Sequence, residues 1–189
     1  MHIEFRKGEW EQHFQYAYSW RFPETPKFIQ EDDCIVNGSC NPLRQNGCDV
    51  TSILLKETYT AGATLSFTAS FAYYGAPLVI IADGLEQDDQ GNLRFGHYQE
   101  VVLWENGVNV WDIQKNGDGF QYKWLLRNDF PLKPNQIHSL SVRLEENRLD
   151  ILAGGHHCTL YIPNLPKTAY LGITACEGIN RFYTLDIEP

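Results

Sequence analysis

What this chain lacks narrows its class before any motif is considered. No apolar run approaches the length needed to span a bilayer, so no transmembrane helix is expected. Basic residues number 15 against 24 acidic ones, for a net charge of −9, and the Lys and Arg residues form no cluster. A surface that grips nucleic-acid phosphates needs the opposite balance. There is no Gly-x-Ser-x-Gly elbow, P-loop or dinucleotide fingerprint, which removes the commonest hydrolase and nucleotide-binding signatures. No window of a dozen residues keeps an i, i+3, i+4, i+7 apolar pattern; at most Val50 to Thr58 holds a short helical turn. The beginning, Met1-His-Ile-Glu-Phe-Arg-Lys7, carries no apolar stretch of the secretory type, and a cytoplasmic location is the expectation.

Cysteine is present but in the wrong pattern for a scaffold. Cys34, Cys40, Cys48, Cys158 and Cys176 are odd in number, irregular in spacing and without a Cys-x-x-Cys pair, so reduced thiols are expected. The spacings of Cys34, Cys40 and Cys48 match no common zinc pattern. His156 and His157 are neighbours on an expected strand and point to opposite faces, a poor arrangement for chelation. Asp83, Asp88, Asp89 and Asn92 lie in a polar loop whose spacing is not that of an EF-hand. No metal or cofactor is assigned.

What is abundant is aromatic residues and a period of two. Five Trp, ten Tyr and ten Phe suit a large β-core, a stacking surface, or both. Leu65, Phe67, Ala69 and Phe71 alternate with Thr and Ser; Ala76 to Ala82 is almost wholly apolar and reads as a strand covered on both faces. Phe120, Tyr122, Trp124 and Leu126 alternate again, as do Leu140, Val142 and Leu144. Later strands follow at Leu149–Ile151, Cys158–Ile162, Leu171–Ala175 and Phe182–Ile187. Short strands with frequent turn signals predict an all-β sandwich or barrel. With no repeat or linker, residues 1–189 read as one domain, its first 60 or so residues forming an irregular arm.

The strongest local signal is Tyr98 to Ile113, where Asn106-Gly107 separates two runs rich in Val, Leu and Trp. A two-residue hairpin there pairs Trp104 with Asn109, Val102 with Trp111 and Glu100 with Ile113. Glu100, Trp104, Asn109 and Trp111 then share one face, while Leu103 and Val110 point to the core. Two indoles, an amide and a carboxylate on one face suit a sugar ring: the indoles stack on C–H groups and the polar groups meet hydroxyls. The same tryptophans suit simple burial equally well.

The C-terminal half resembles a known superfamily. His138-Ser-Leu-Ser-Val-Arg-Leu144, Arg148-Leu-Asp-Ile-Leu-Ala-Gly-Gly155 and Thr159-Leu-Tyr-Ile162 are similar to the strand–strand–Gly turn–strand meander of concanavalin A-like lectin/glucanase domains. Leu171-Gly-Ile-Thr-Ala175 and Arg181-Phe-Tyr-Thr-Leu-Asp-Ile187 resemble their closing strands. The resemblance implies an antiparallel two-sheet jelly-roll sandwich whose concave sheet holds an oligosaccharide or polysaccharide. The Glu-x-Asp-x-x-Glu strand of one glucanase branch is absent: Glu86-Gln-Asp88 begins it, but Gly91 stands in place of the second Glu.

Three functions remain open on these residues. A carbohydrate-binding domain would use Trp104, Trp111, Asn109 and Glu100, with Asn180 and Arg181 as hydroxyl donors unless these two pin the last loop. A glycan-cleaving enzyme would pair Glu100 with Glu177, or with His97 as a proton shuttle, since such chemistry needs two groups about 5–9.5 Å apart. A protein-interaction sandwich would pack its aromatic face on a partner, including a second copy. His97 could also serve the binder as a polar contact to the ligand, and it has a plain reading as a packing residue.

Overall fold

The computed structural model describes residues 1–8, 10–38 and 50–189. In chain order the strands are β1 (His2–Glu4), β2 (Phe14–Ser19), β3 (Ile29–Gln30), β4 (Ile35–Val36), β5 (Thr51–Thr60), β6 (Thr64–Ala72), β7 (Ala76–Ala82), β8 (Glu86–Gln87) and β9 (Leu93–Phe95). They continue with β10 (His97–Trp104), β11 (Gly107–Asn116), β12 (Gly119–Asp129), β13 (His138–Glu145), β14 (Arg148–Ala153), β15 (His156–Tyr161), β16 (Thr168–Cys176) and β17 (Ile179–Glu188). A single 3-10 turn at Glu11–His13 is the one helical element among the described residues.

Two sheets stack. One runs β15-β14-β13-β6-β17-β4-β3, with β1 added on β17; the other runs β12-β11-β10-β7-β16-β5-β2-β9-β8. All pairings are antiparallel except β2 with β9. This is the jelly-roll sandwich expected from alternation. The core fills the space between sheets with every second residue: Leu65, Phe67, Leu140, Val142, Ile151 and Leu185 from one side, Val79, Ile81, Val101, Leu103, Val110 and Ile173 from the other. Hydrophobic burial of this kind contributes about 25 cal/mol per Å2 removed from water.

β7 is buried along its whole length because both its faces are covered. Its odd residues enter the core, while Leu78, Ile80 and Ala82 join Ala17, Leu54, Phe95, Tyr98 and Ile113 in a second cluster on the outer face of the nine-stranded sheet. The chain between β2 and β3 crosses this outer face. Arg94 secures it by donating to the carbonyls of Phe22 and Pro23, and Asp88 holds Arg94 at 2.9 Å. The polar loop that includes Asp88 thus anchors this crossing segment.

Two sequence expectations are corrected. Val50 to Thr58 is not helical: Thr51 to Leu55 are all buried in β5, in the interior of the nine-stranded sheet, where sheet pairing and core contacts override a weak local preference. The first 60 residues are also less irregular than expected, since they contribute five strands. Cys40 and Cys48 lie outside the described residues; Cys34, Cys158 and Cys176 are free thiols.

Candidate functional site

The hairpin forms between β10 and β11, but its register differs from the expected one by two residues. Trp104 pairs with Gly107, Val102 with Asn109 and Glu100 with Trp111, so Glu105 and Asn106 make the turn. Neither turn residue takes a positive φ; only Gly107, the first residue of β11, does, at 122°, where Asn106 was expected to share it. The turn is held from outside: Phe130 donates to the Asn106 carbonyl and Leu132 to that of Glu105. A shift of two leaves every side chain on its predicted face. Glu100, Trp104, Asn109 and Trp111 therefore project from the outer face of the nine-stranded sheet.

They line a cavity of about 360 Å3 together with Arg21, Ala76, Leu78, Val102, Ile113, Tyr122, Cys176 and Glu177. β12 adds a second layer of aromatics. A bulge between Val110 and Trp111 sets Trp124 opposite Trp111, and the two indoles lie parallel with centroids 5.5 Å apart. Trp124 fixes the orientation of Trp111 and leaves the rest of that indole to the cavity. The Arg127 guanidinium lies over both Trp104 and Trp124, 5.6 and 5.8 Å from their ring centroids.

Glu100 is largely enclosed, its side chain 13% exposed. Burial pushes its carboxyl up to about 7; the Arg21 guanidinium opposes this, and the negative charge of Glu177 adds to it. Arg21 Nη1 donates to Glu100 Oε1 at 3.1 Å and to the Tyr98 hydroxyl at 3.3 Å. The same guanidinium packs against Phe22 and Tyr122, 5.0 and 4.9 Å from their centroids. Arg21 is itself held more firmly charged than usual, against its burial, by Tyr98 and Glu100. The pair is thus asymmetric: pairing wins for the arginine and burial wins for the carboxylate. Trp104 Nε1 and Asn109 Oδ1 are shielded from solvent and have no hydrogen-bond partner.

Three of the residues singled out from sequence lie elsewhere. His97 occupies the opposite face of β10, where its ring nitrogens lie 2.8 Å from Asp83 Oδ2 and 3.0 Å from Asp112 Oδ1. Asn180 is fully buried and donates from Nδ2 to the carbonyls of Cys176 and Glu177, which shapes the loop that presents Glu177. Arg181 forks onto Glu31, at 2.8 and 3.2 Å. The latter two pin the last loop, the alternative their sequence position allowed.

Arg21, Tyr122 and Trp124 were missed. Tyr122 and Trp124 carry a readable signal, the alternation of β12, whose parity puts them on the face of Trp111. Arg21 carries none, since it comes from an irregular segment whose path only the tertiary structure defines.

No protein-family model matches this chain, and no curated protein matches it. Solved structures do. A carbohydrate-binding module from Bacillus subtilis superposes with a TM-score of 0.66 at 10% identity, covering 94% of this chain and 96% of that one. A family 16 glycoside hydrolase, an endo-glucanase from Bacteroides ovatus, gives a TM-score of 0.66 at 10% identity over 100% of this chain and 99% of that one. Beta-agarase A from Zobellia galactanivorans gives 0.65 at 10% identity, over 99% and 89%. At such identity the likeness is one of fold, and the fold is the concanavalin A-like jelly roll.

Proposed function

We propose that this chain binds an oligosaccharide or polysaccharide in the cavity on the outer face of the nine-stranded sheet. The observation that carries this reading is the composition of one wall. Trp104, Trp111 and Tyr122 offer ring surface beside the hydrogen-bonding groups of Arg21, Glu100, Asn109 and Glu177. Sugars are amphipathic in the same way, with apolar C–H faces and polar rims. Structures sharing the fold include a carbohydrate-binding module and a beta-agarase B in complex with agaro-octaose, which supports the same class of ligand.

A second reading, glycan cleavage, rests on one specific observation. Glu100 is pushed up to about 7 and shares its cavity with Glu177, so one carboxyl is disposed to stay protonated beside another. Against it stands Arg21, which occupies Glu100 Oε1 directly. A glycan array combined with a reducing-sugar release assay separates the two. Retention of a glycan without release supports the binder; release that disappears in Glu100→Gln supports the enzyme; retention of no glycan removes both.

A further inference from the structure

Four non-glycine residues among those described have a left-handed backbone: Tyr73, Tyr74, Asn135 and Glu177, with φ of 51°, 64°, 62° and 53°. Asparagine tolerates this conformation; tyrosine and glutamate do so at a cost of about 1 kcal/mol or more each. The three costly ones lie together. Tyr73 and Tyr74 are the central residues of the turn from β6 to β7, closed by Gly75 N–H donating to the Ala72 carbonyl at 2.9 Å. Glu177 opens the turn from β16 to β17. The two turns touch backbone to backbone: a Cβ on Gly178 would lie 2.2 Å from Gly75 N and 2.3 Å from Tyr73 O.

This junction adjoins the cavity. Ala76, two residues past Tyr74, pairs with Cys176, and Ala76, Cys176 and Glu177 all line that end. The tyrosines are 75% and 79% exposed, so burial does not account for them. Turn chemistry does not account for them either, because a turn with positive φ at both centres is best served by Asn-Gly.

We propose that Tyr73 and Tyr74 form a further sugar-binding subsite, taking residues of a polysaccharide that runs out of the cavity past Glu177. The inference rests on the carbohydrate-binding reading and deepens it. The natural ligand is then an extended chain rather than a short terminal sugar, because cavity and tyrosine pair engage it at successive positions. Rings placed on a strained turn at the mouth of a cavity are held there at the expense of stability, as contact residues often are.

The double variant Tyr73→Asn/Tyr74→Gly tests this without risk to folding, since it installs the preferred turn. Its mobility, and that of Trp111→Ala and wild type, is measured in native gels containing soluble β-glucan or agarose, with the trisaccharide of the retaining polymer as a second probe. The expected result is a thermal midpoint at or above that of wild type and about tenfold weaker retention by the polymer, equivalent to about 1.4 kcal/mol. Trisaccharide binding stays unchanged, whereas Trp111→Ala loses both. If the double variant is retained like wild type while Trp111→Ala is not, the subsite is overturned and the cavity reading stands. If neither polymer nor any glycan of the array retains wild type, both fall.

Discussion

Arg21 Nη1 lies 3.1 Å from Glu100 Oε1, a contact that favours the charged form of both side chains but that burial outweighs in the carboxyl alone. The arginine is fixed in its charged form. The carboxyl, more deeply enclosed and within the field of Glu177, is pushed from 4.5 up to about 7. A carboxyl raised on folding binds more protons in the native than in the unfolded state over that interval. Its contribution is therefore fully present below about 4.5 and is lost as pH rises through about 7.

Wild-type stability measured by urea unfolding between pH 5 and 7.5 is expected to fall with pH. The part due to Glu100 is on the order of 1–3 kcal/mol. Glu100→Gln, which cannot ionise, should flatten this dependence. An unchanged slope in the variant would assign the pH dependence to other groups.

Trp111 and Trp124 should separate binding from folding. Trp111 is half-buried at the cavity wall and Trp124 is 49% exposed at the sheet edge behind it. Trp111→Ala is expected to weaken glycan binding by about 1–3 kcal/mol and stability by about 2 kcal/mol. Trp124→Ala removes only the ring that orients Trp111, so stability should fall by about 1 kcal/mol or less and affinity by a similar amount. Titration calorimetry and thermal melts on the same samples read both quantities.

These expectations depend on a face assignment that was legible in the sequence. Glu100, Trp104, Asn109 and Trp111 came out on one face because side-chain parity survives an even register shift. The pairing itself did not come out, because local propensity favoured positive φ at both Asn106 and Gly107, while contacts from Phe130 and Leu132 place the turn at Glu105-Asn106. His97, given as a proton shuttle or a packing residue, lies with Gln99 and Asp112 on the other face, in line with the packing reading. β5 was hidden because its buried stretch from Thr51 to Leu55 has no alternation to read. Arg21 lay out of reach because nothing local says that an irregular arm will cross a sheet 79 residues away.

The thiols should all be present as such, with Cys34 and Cys176 slow to react. Cys34 and Cys176 are pushed up to about 12, in both cases chiefly by burial, with nearby carboxylates adding to it. At pH 8 native protein should therefore alkylate slowly at these two positions. Thiol counting in denaturant without reductant should find five, as the chain has five cysteines. A count of one or three would mean that disulfides form and that the proposed reducing, cytoplasmic location is wrong.

Gly107 should be the residue on which the hairpin depends most. It begins β11 with φ of 122°, a conformation closed to other residues without strain. A Cβ there would also sit 2.1 Å from the Asn128 carbonyl oxygen and 2.9 Å from Phe130 N, backbone atoms that cannot swing aside as a side chain would. Gly107→Ala must therefore disturb both the turn and the pairing of β11 with β12. The expected loss of stability exceeds 1 kcal/mol by the backbone conformation alone, with the steric contact adding to it, so about 2 kcal/mol or more is expected. Because β12 carries Tyr122 and Trp124, glycan affinity should fall in the same variant even at temperatures where it remains folded. Asn106→Ala makes the control: Asn106 lacks positive φ, so its substitution should cost less than about 1 kcal/mol. Chemical unfolding of the two variants side by side decides the matter, and a larger loss for Asn106→Ala than for Gly107→Ala would refute the observed register.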